Sequence, residues 1–317
     1  MLDPRVRTAL PFALLTAILA ISTSSVFIRF AQEDAPSLVI AALRLTCAAL
    51  FLAPLAWTRH RDELQNLTRK EFIPACIAGI FLAVHFAAWT SSLEFTSVAS
   101  SVLFVSTGPL WVALFSPVLL NERLRRASIF GLIVAFLGGA TIGVADTCTW
   151  DRGLQCPELN QILQGSAMWG NFLALVGAWA VSGYLIIGRK LRTTHSVSLI
   201  PYIFLVYGLC ALTLIIIMLA AGHSPFGYPA QTYGWILLLA VFPQLIGHST
   251  YNWVLRYIPA TLVAIVTLVE PIGSAALAYF VLHEIPTNGV LLGGLLILVG
   301  VYIVSRQSKS GWPPDNS

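Results

Sequence analysis

The chain has 317 residues, of which 57% are hydrophobic and only 10% are charged, and its mean hydropathy is +0.81. Soluble domains carry about 25% charged residues, so this composition excludes a protein whose whole surface faces water. The formal net charge of +4 does not indicate a nucleic-acid partner, because the basic residues follow a membrane topology. The sequence therefore predicts an integral membrane protein in contact with a lipid bilayer.

Ten apolar segments are predicted to cross the membrane as α-helices, because a spanning helix needs about 20 mainly apolar residues. They are residues 10–28, 37–57, 72–91, 98–119, 127–145, 167–187, 198–221, 232–254, 260–281 and 288–305. Lipid offers no partners to backbone N–H and C=O groups, so apolar runs of this length predict helices and an all-α fold. The first segment has no convincing small-residue cleavage site and is interpreted as a retained span.

The basic residues predict the orientation of these spans. With the N-terminus inside, the inner segments hold 15 of the 18 Lys and Arg residues, namely Arg5, Arg7, Arg59, Arg61, Arg69, Lys70, Arg123, Arg125, Arg126, Arg189, Lys190, Arg192, Arg256, Arg306 and Lys309. Only Arg29 and Arg152 fall outside, and Arg44 lies within span 2. This bias follows the positive-inside rule and predicts a multi-pass protein with both termini in the cytoplasm.

The sequence contains an internal repeat. Pro109, Leu120, Glu122, Gly131 and Gly138 recur 162 positions later as Pro271, Leu282, Glu284, Gly293 and Gly300. We predict a first five-helix repeat at 1–145, an outside loop at 146–166, a second repeat at 167–305 and a cytoplasmic tail at 306–317. Five spans are an odd number, so the second repeat is inverted, an arrangement typical of transporters that alternate access.

Two Pro…Glu signatures carry a resemblance to a known family. They are Gly108-Pro109-Leu110…Leu120-Asn121-Glu122 and Glu270-Pro271-Ile272…Leu282-His283-Glu284, each followed by a Gly-rich span. The chain resembles the EamA type of the drug/metabolite transporter superfamily over nearly its whole length. The resemblance implies a ten-helix fold with a central cavity between the halves, and export of small metabolites or amino acids. It also favours a bacterial inner membrane and leaves the substrate open.

Pro109 and Pro271 are the candidate gating residues. Each removes a backbone hydrogen bond and is predicted to kink its span. Matched kinks at matched positions suit helices that bend during transport. A static kink needed for packing is the alternative, because membrane helices tolerate proline.

Two ionisable residues inside spans are candidate substrate-binding residues. Glu270 precedes Pro271 within span 9, and an intramembrane carboxylate is by default functional. It could bind a proton or pair with a cationic group of a substrate, and a structural partnership with Arg44 is the alternative. Arg44 could bind a substrate carboxylate, although we favour a structural role in tying helices together.

Polar and aromatic residues in spans 3, 6 and 8 complete the candidate binding site. Gln244, His248, Tyr251 and Asn252 form a stripe on span 8 at helical spacing. His85 and Trp89 share a face of span 3, and Trp179 in span 6 could line an aromatic cavity. The histidines could couple transport to protons, but hydrogen bonding between helices as packing is the alternative for each.

Cys148 and Cys156 share the long outside loop, where a disulfide and two free thiols are both open alternatives. Gly139-x3-Gly143 and Gly289-x3-Gly293 allow close helix contact, which we interpret as packing within the monomer, with a homodimer interface as the alternative.

No phosphate-binding loop, HExxH motif or GxSxG elbow occurs in the sequence. We therefore predict a transporter of small molecules with no catalytic residues, metal or cofactor, in which protons are an open coupling partner. An intramembrane enzyme and a membrane receptor or scaffold are the alternatives.

Overall fold

The computed structural model describes residues 4–119, 126–147, 149–150, 154–155, 165–193, 197–257 and 267–307. Among these residues, six helices are long and apolar enough to cross a membrane, and four shorter apolar helices accompany them. These helices lie at the positions of the ten predicted spans, so the all-α fold is confirmed. A two-residue ladder, Thr149–Trp150 with Leu154–Gln155, occurs between spans 5 and 6.

The spans are numbered in chain order, and most of them are helical throughout. They comprise Pro4–Ser22 and Ser24–Gln32 (span 1), Ser37–Arg59 (2), Arg69–Ser92 (3), Val98–Val105 and Gly108–Leu119 (4), Arg126–Thr147 (5), Ser166–Thr193 (6), Leu199–Ala220 (7), Ala230–Leu239, a π-helix at Ala240–His248 and Ser249–Val254 (8), a 3₁₀ turn at Thr267–Val269, Glu270–Leu277 and a π-helix at Ala278–Leu282 (9), and Asn288–Gln307 (10). A short helix, Arg61–Gln65, precedes span 3.

The two matched prolines lie just after breaks in their spans. Pro109 is the second residue of the helix that follows the turn at residues 106–107. Pro271 is the second residue of the helix that follows the 3₁₀ turn Thr267–Val269. Proline suits the first turn of a helix because its φ is already helical and its missing N–H has no helical partner there. The repeat therefore includes the position of the break as well as the proline.

Helix packing interleaves the two halves. Span 3 packs against spans 6 and 7, span 2 against span 7, span 1 against spans 8 and 9, and span 4 against span 6. Each of these contacts joins a helix of the first repeat to a helix of the second. Large apolar side chains such as Phe12, Phe136 and Phe280 point outward, as expected for a surface covered by lipid rather than water.

Spans 5 and 10, the last helices of the two repeats, cross at glycines. A Cβ atom built on Gly138 would lie 2.5 Å from the carbonyl oxygen of Gly293, and one built on Gly300 would lie 2.5 Å from that of Gly131. Because Gly131 corresponds to Gly293 and Gly138 to Gly300, exchanging the halves turns one contact into the other. Small residues allow such close backbone approach in membranes. These glycines therefore serve packing within the chain.

Loop contacts locate the two ends of the bundle. At one end, the Thr232 hydroxyl donates to Asp34 at 2.6 Å, which joins the loop before span 2 to the start of span 8. At the other, the Ser198 N–H donates to Glu63 at 2.6 Å, which joins the loop before span 3 to the start of span 7. Repeat-related loops thus lie at opposite ends, as an inverted repeat requires.

Candidate functional site

Repeat-related histidines meet where the halves pack together. His85 on span 3 and His248 on span 8 lie 163 positions apart in the sequence, and their ring centroids are 6.4 Å apart. His85 Nδ1 donates a hydrogen bond of 2.9 Å to the carbonyl of Gly177 on span 6. Its ring also stacks on Trp89 at 5.9 Å, while His248 packs edge-on against Phe86 at 5.4 Å. Span 3 thus presents one aromatic face to both spans 6 and 8.

Arg44 lies beside this histidine pair and is only 1% exposed. Its guanidinium carbon lies 4.2 Å from the centroid of the Phe86 ring, a cation–π arrangement. Its Nη1 donates to Ser24 Oγ at 3.2 Å. Its Nε and Nη2 have no hydrogen-bond partner among the described residues, so this buried cation retains donors for a further acceptor.

The second half carries different chemistry at the position of Arg44. Tyr207 on span 7 follows Arg44 by 163 positions, the same separation as the two histidines. Its hydroxyl and that of Ser249 share a hydrogen bond of 3.2 Å. Asn252 donates to the Tyr184 hydroxyl and, at 2.8 Å, to the His248 carbonyl. The first half thus contributes a cation over an aromatic ring, whereas the second contributes a neutral hydrogen-bond network.

Glu270 begins the helix that follows the break in span 9. It is partly buried. Among the described residues no side chain forms an ion pair or hydrogen bond with its carboxylate. Its repeat-related position in span 4 is Gly108, whose carbonyl accepts a hydrogen bond of 2.9 Å from Ser182. The negative charge therefore belongs to one half only.

Five of the predicted binding residues are linked by contacts. Arg44, His85 and His248 all pack against Phe86, Trp89 stacks on His85, and Asn252 donates to the His248 carbonyl. Trp179 is 38% exposed and packs against Phe81 at 5.4 Å rather than against this group. Sequence reasoning missed Phe86 and Tyr207. The repeat offset that relates the histidines could have identified Tyr207.

A second polar cluster closes one end of the bundle. Arg29 at the end of span 1 forms a 3.0 Å ion pair with Glu284 after span 9 and donates to the Thr96 carbonyl at 3.0 Å. Glu284 also accepts a 2.8 Å hydrogen bond from the Val98 N–H at the start of span 4. Three broken spans are thereby joined. Glu122, Cys148 and Cys156 lie outside the described residues.

Comparison with known proteins identifies the family. The sequence model of the EamA-like transporter family matches residues 9–144 and again residues 168–306. The chain belongs to this family. The two matches of this EamA-like protein correspond to the two halves whose helices interleave.

Its relatives are named transporters. The pseudopaline exporter CntI of Pseudomonas aeruginosa is 25% identical over 93% of this chain and 96% of its own length. The uncharacterized transporter YxxF of Bacillus subtilis is 23% identical over 88% of this chain and 85% of its own length. A solved crystal structure covering 96% of this chain and 98% of its own has a TM-score of 0.63 at 19% identity, which supports the fold. This EamA-like protein is therefore a multi-pass membrane transporter of small molecules.

Proposed function

We propose that this EamA-like protein is a secondary transporter that exports a small polar metabolite, such as an amino acid, by alternating access. One observation carries the proposal: repeat-related side chains of both halves, His85 and His248, meet 6.4 Å apart beside the buried Arg44. Inverted-repeat transporters bind their substrate where the repeats meet and expose it to each side in turn. The export direction is supported by the Pseudomonas relative, which is named an exporter.

The breaks in the spans support the alternating-access part of the proposal. Spans 4 and 9 are both interrupted immediately before their matched prolines. Serines also bond to backbone carbonyls beside breaks: Ser182 on span 6 donates to Gly108, just after the break in span 4, at 2.9 Å, and Ser274 on span 9 donates to Ser22, just before the break in span 1, at 3.3 Å. Backbone so supported can bend without leaving carbonyls unpaired in lipid. Pro109 and Pro271 act as gating residues in this proposal.

We further propose that the exported substrate is exchanged for protons, which bind to Glu270. We also propose that the protein lies in a bacterial inner membrane with both termini in the cytoplasm. A carboxylate within a span is costly unless it serves transport or a partner. Glu270 has no hydrogen-bond or ion-pair partner among the described residues. It can therefore accept a proton without breaking a bond that holds the fold.

Uptake into inside-out membrane vesicles tests export and proton coupling together. With a panel of radiolabelled amino acids and small metabolites, we expect uptake that rises when the vesicle lumen is acidified. Glu270→Gln should abolish this stimulation, because an amide cannot carry the proton. Glu33→Gln, at an exposed carboxylate between spans 1 and 2, is the matched control and should keep it.

The possible results separate the parts of the proposal. Uptake that ignores the gradient and is unchanged in Glu270→Gln would contradict proton exchange through Glu270 and leave facilitated export. If no solute enters faster than into vesicles lacking the protein, the transport proposal itself is wrong.

A further inference from the structure

Span 8 changes its helix type where it reaches the candidate site. Its middle part is a nine-residue π-helix, Ala240–His248, between two α-helical segments. Span 3, the corresponding helix of the first half, is a continuous α-helix over Arg69–Ser92. A π-helix is rare and occurs mostly as a single turn within an α-helix, frequently at a functional site. The π-helix of span 8 is therefore not a feature that the repeat imposes on both halves.

Pro243 is one reason why the α-helix gives way in span 8. A proline inside a helix has no N–H to donate, and its ring clashes with the carbonyl four residues earlier. For Pro243 this carbonyl belongs to Leu239, the last residue of the preceding α-helical segment. Proline alone is not sufficient, because Pro74 lies inside the α-helix of span 3. Further contacts must therefore hold the π-helix in place.

Side chains of the α-helical segment that follows provide these contacts. The Ser249 N–H bonds to the carbonyl of Gln244, five residues earlier, and the Ser249 hydroxyl donates to the same carbonyl at 3.3 Å. Asn252 donates to the His248 carbonyl at 2.8 Å. The two side chains also form hydrogen bonds with tyrosines of spans 7 and 6, respectively. The end of the π-helix is thus bonded to two other helices of the second half.

The π-helix ends where the two halves are in contact. Its last residue, His248, packs against Phe86 at 5.4 Å and against His85 at 6.4 Å, both on span 3. The preceding Gly247 has no room for a side chain, because Ile21 of span 1 lies against it. Each α-helical residue adds about 100° of rotation, and a π-helix adds less because it has more residues per turn. A change of helix type would therefore turn His248 relative to the start of span 8.

We propose that span 8 changes between this π-helix and an α-helix during transport, and that the change turns His248 away from Phe86 and His85 so that the halves can separate. This rests on the proposed alternating access and identifies a moving element for it. Each backbone N–H exchanges the carbonyl five residues earlier for the one four residues earlier, so no backbone group is left unpaired in lipid. The change costs the side-chain bonds of Ser249 and Asn252 and the aromatic contact. Packed interfaces of this kind adopt discrete arrangements and can act as switches.

The length of span 8 reports its helix type, because an α-helix rises further per residue than the wider π-helix. Gln231 and Arg256 are exposed residues before and after the π-helix. In a cysteine-free chain in nanodiscs, nitroxide labels on Gln231→Cys and Arg256→Cys give this length by double electron–electron resonance. Full conversion should lengthen it by about 3 Å, the rise of two α-helical residues. Labels on Lys70→Cys and Glu94→Cys, near the two ends of span 3, are the matched control and should give one unchanged distance.

Two substitutions should shift the populations of the two forms. In the wild type we expect the shorter distance, which fits the π-helix, to predominate. Pro243→Ala removes the clash with the Leu239 carbonyl, so the longer distance should become the major one. Pro74→Ala, in the α-helix of span 3, is the matched control and should leave the length of span 8 unchanged. Glu284→Ala breaks the ion pair with Arg29 at one end of the bundle and should also increase the share of the longer distance.

The same single distance in the wild type, Pro243→Ala and Glu284→Ala would overturn the proposal. If Pro243→Ala fails to fold, the comparison of the wild type with Glu284→Ala decides. An equal shift between the labels on span 3 would also overturn it, because the change would then not belong to the π-helix. Uptake into vesicles by a protein that shows only the shorter distance would leave the transport proposal intact, so the two proposals fail separately.

Discussion

Arg29 and Glu284 hold together the end of the bundle that is predicted to face outside. Their ion pair joins spans 1 and 9, and both side chains are 27% exposed. An ion pair at the surface contributes only about 0–1 kcal/mol, but Glu284 also accepts a hydrogen bond from the Val98 N–H. Hydrogen bonds to charged groups contribute about 1.5–3 kcal/mol. The cluster is therefore strong enough to influence how often this end opens.

Removing the Glu284 carboxylate is expected to open the outer end more often. In a cysteine-free background carrying Ser25→Cys, a buried position one turn before Arg29, Glu284→Ala should raise the rate of labelling by an impermeant maleimide. A loss of about 1–2 kcal/mol corresponds to a rate increase of roughly 5- to 30-fold. Glu284→Gln, which keeps an acceptor for Val98, should give a smaller increase. An unchanged rate in Glu284→Ala would contradict a latch at these residues.

At the scale of single residues, the sequence indicated which side chains are candidates for the site better than it indicated which residues they contact. Buried ionisable and polar residues stand out in apolar spans, so Arg44, His85, His248 and Glu270 could be selected from the sequence. The Arg29–Glu284 pair could not, because its members lie 255 positions apart and each follows a span end where charges are common. Trp179 was selected by its type alone, and residue type does not determine which way a side chain points on a helix.

Spans 5 and 10 pack against each other through glycines that correspond in the two repeats. The Gly138–Gly293 and Gly131–Gly300 approaches are related by exchange of the two halves, so one geometric requirement is met twice. The 162-residue offset predicted the equivalence of these glycines. It could not predict that they face each other, because equivalence relates positions in two copies and contains no information on contact between the copies.

Adding a methyl group at this crossing should destabilise the bundle. In Gly138→Ala the new Cβ would lie 2.5 Å from the Gly293 carbonyl oxygen and 2.8 Å from the Ile297 nitrogen, so the backbones must separate. Overpacking of this kind costs about 1–3 kcal/mol. Gly143→Ala on the same helix meets only the flexible end of Met168, at 3.8 Å, and is the matched control.

The measurement is the apparent melting temperature in detergent, followed by size-exclusion chromatography. We expect a lower temperature for Gly138→Ala and for Gly300→Ala. The control should be unchanged or slightly more stable, because alanine favours helix by about 1 kcal/mol over glycine. Equal melting temperatures for Gly138→Ala and Gly143→Ala would contradict a backbone contact at this crossing.

In the whole molecule, the helices follow the internal repeat, but the charged residues of the candidate site do not. Spans from the two halves interleave throughout the bundle, which could be expected from inversion of the repeat. Two charged residues do not follow the repeat. The position of Arg44 corresponds to Tyr207 in the second half, and the position of Glu270 corresponds to Gly108 in the first half. In the proposed transport cycle, the repeat would let the inner and outer ends exchange roles, while these unmatched residues would contact the substrate from one half each.

Opposite orientation of the two halves is testable at a pair of repeat-related loops. Asp62 lies in the basic loop between spans 2 and 3, and Ala221 lies at the end of span 7 in a loop without Lys or Arg. Both are exposed, and contacts place their loops at opposite ends of the bundle. The positive-inside rule predicts that the Asp62 loop faces the cytoplasm.

The test labels single cysteines in bacterial spheroplasts that express an otherwise cysteine-free protein. An impermeant maleimide should label Ala221→Cys in intact spheroplasts, but label Asp62→Cys only after permeabilisation. Labelling of both positions from one side would contradict the inverted repeat, and with it the pairing of a cytoplasmic and an external entrance on which alternating access depends.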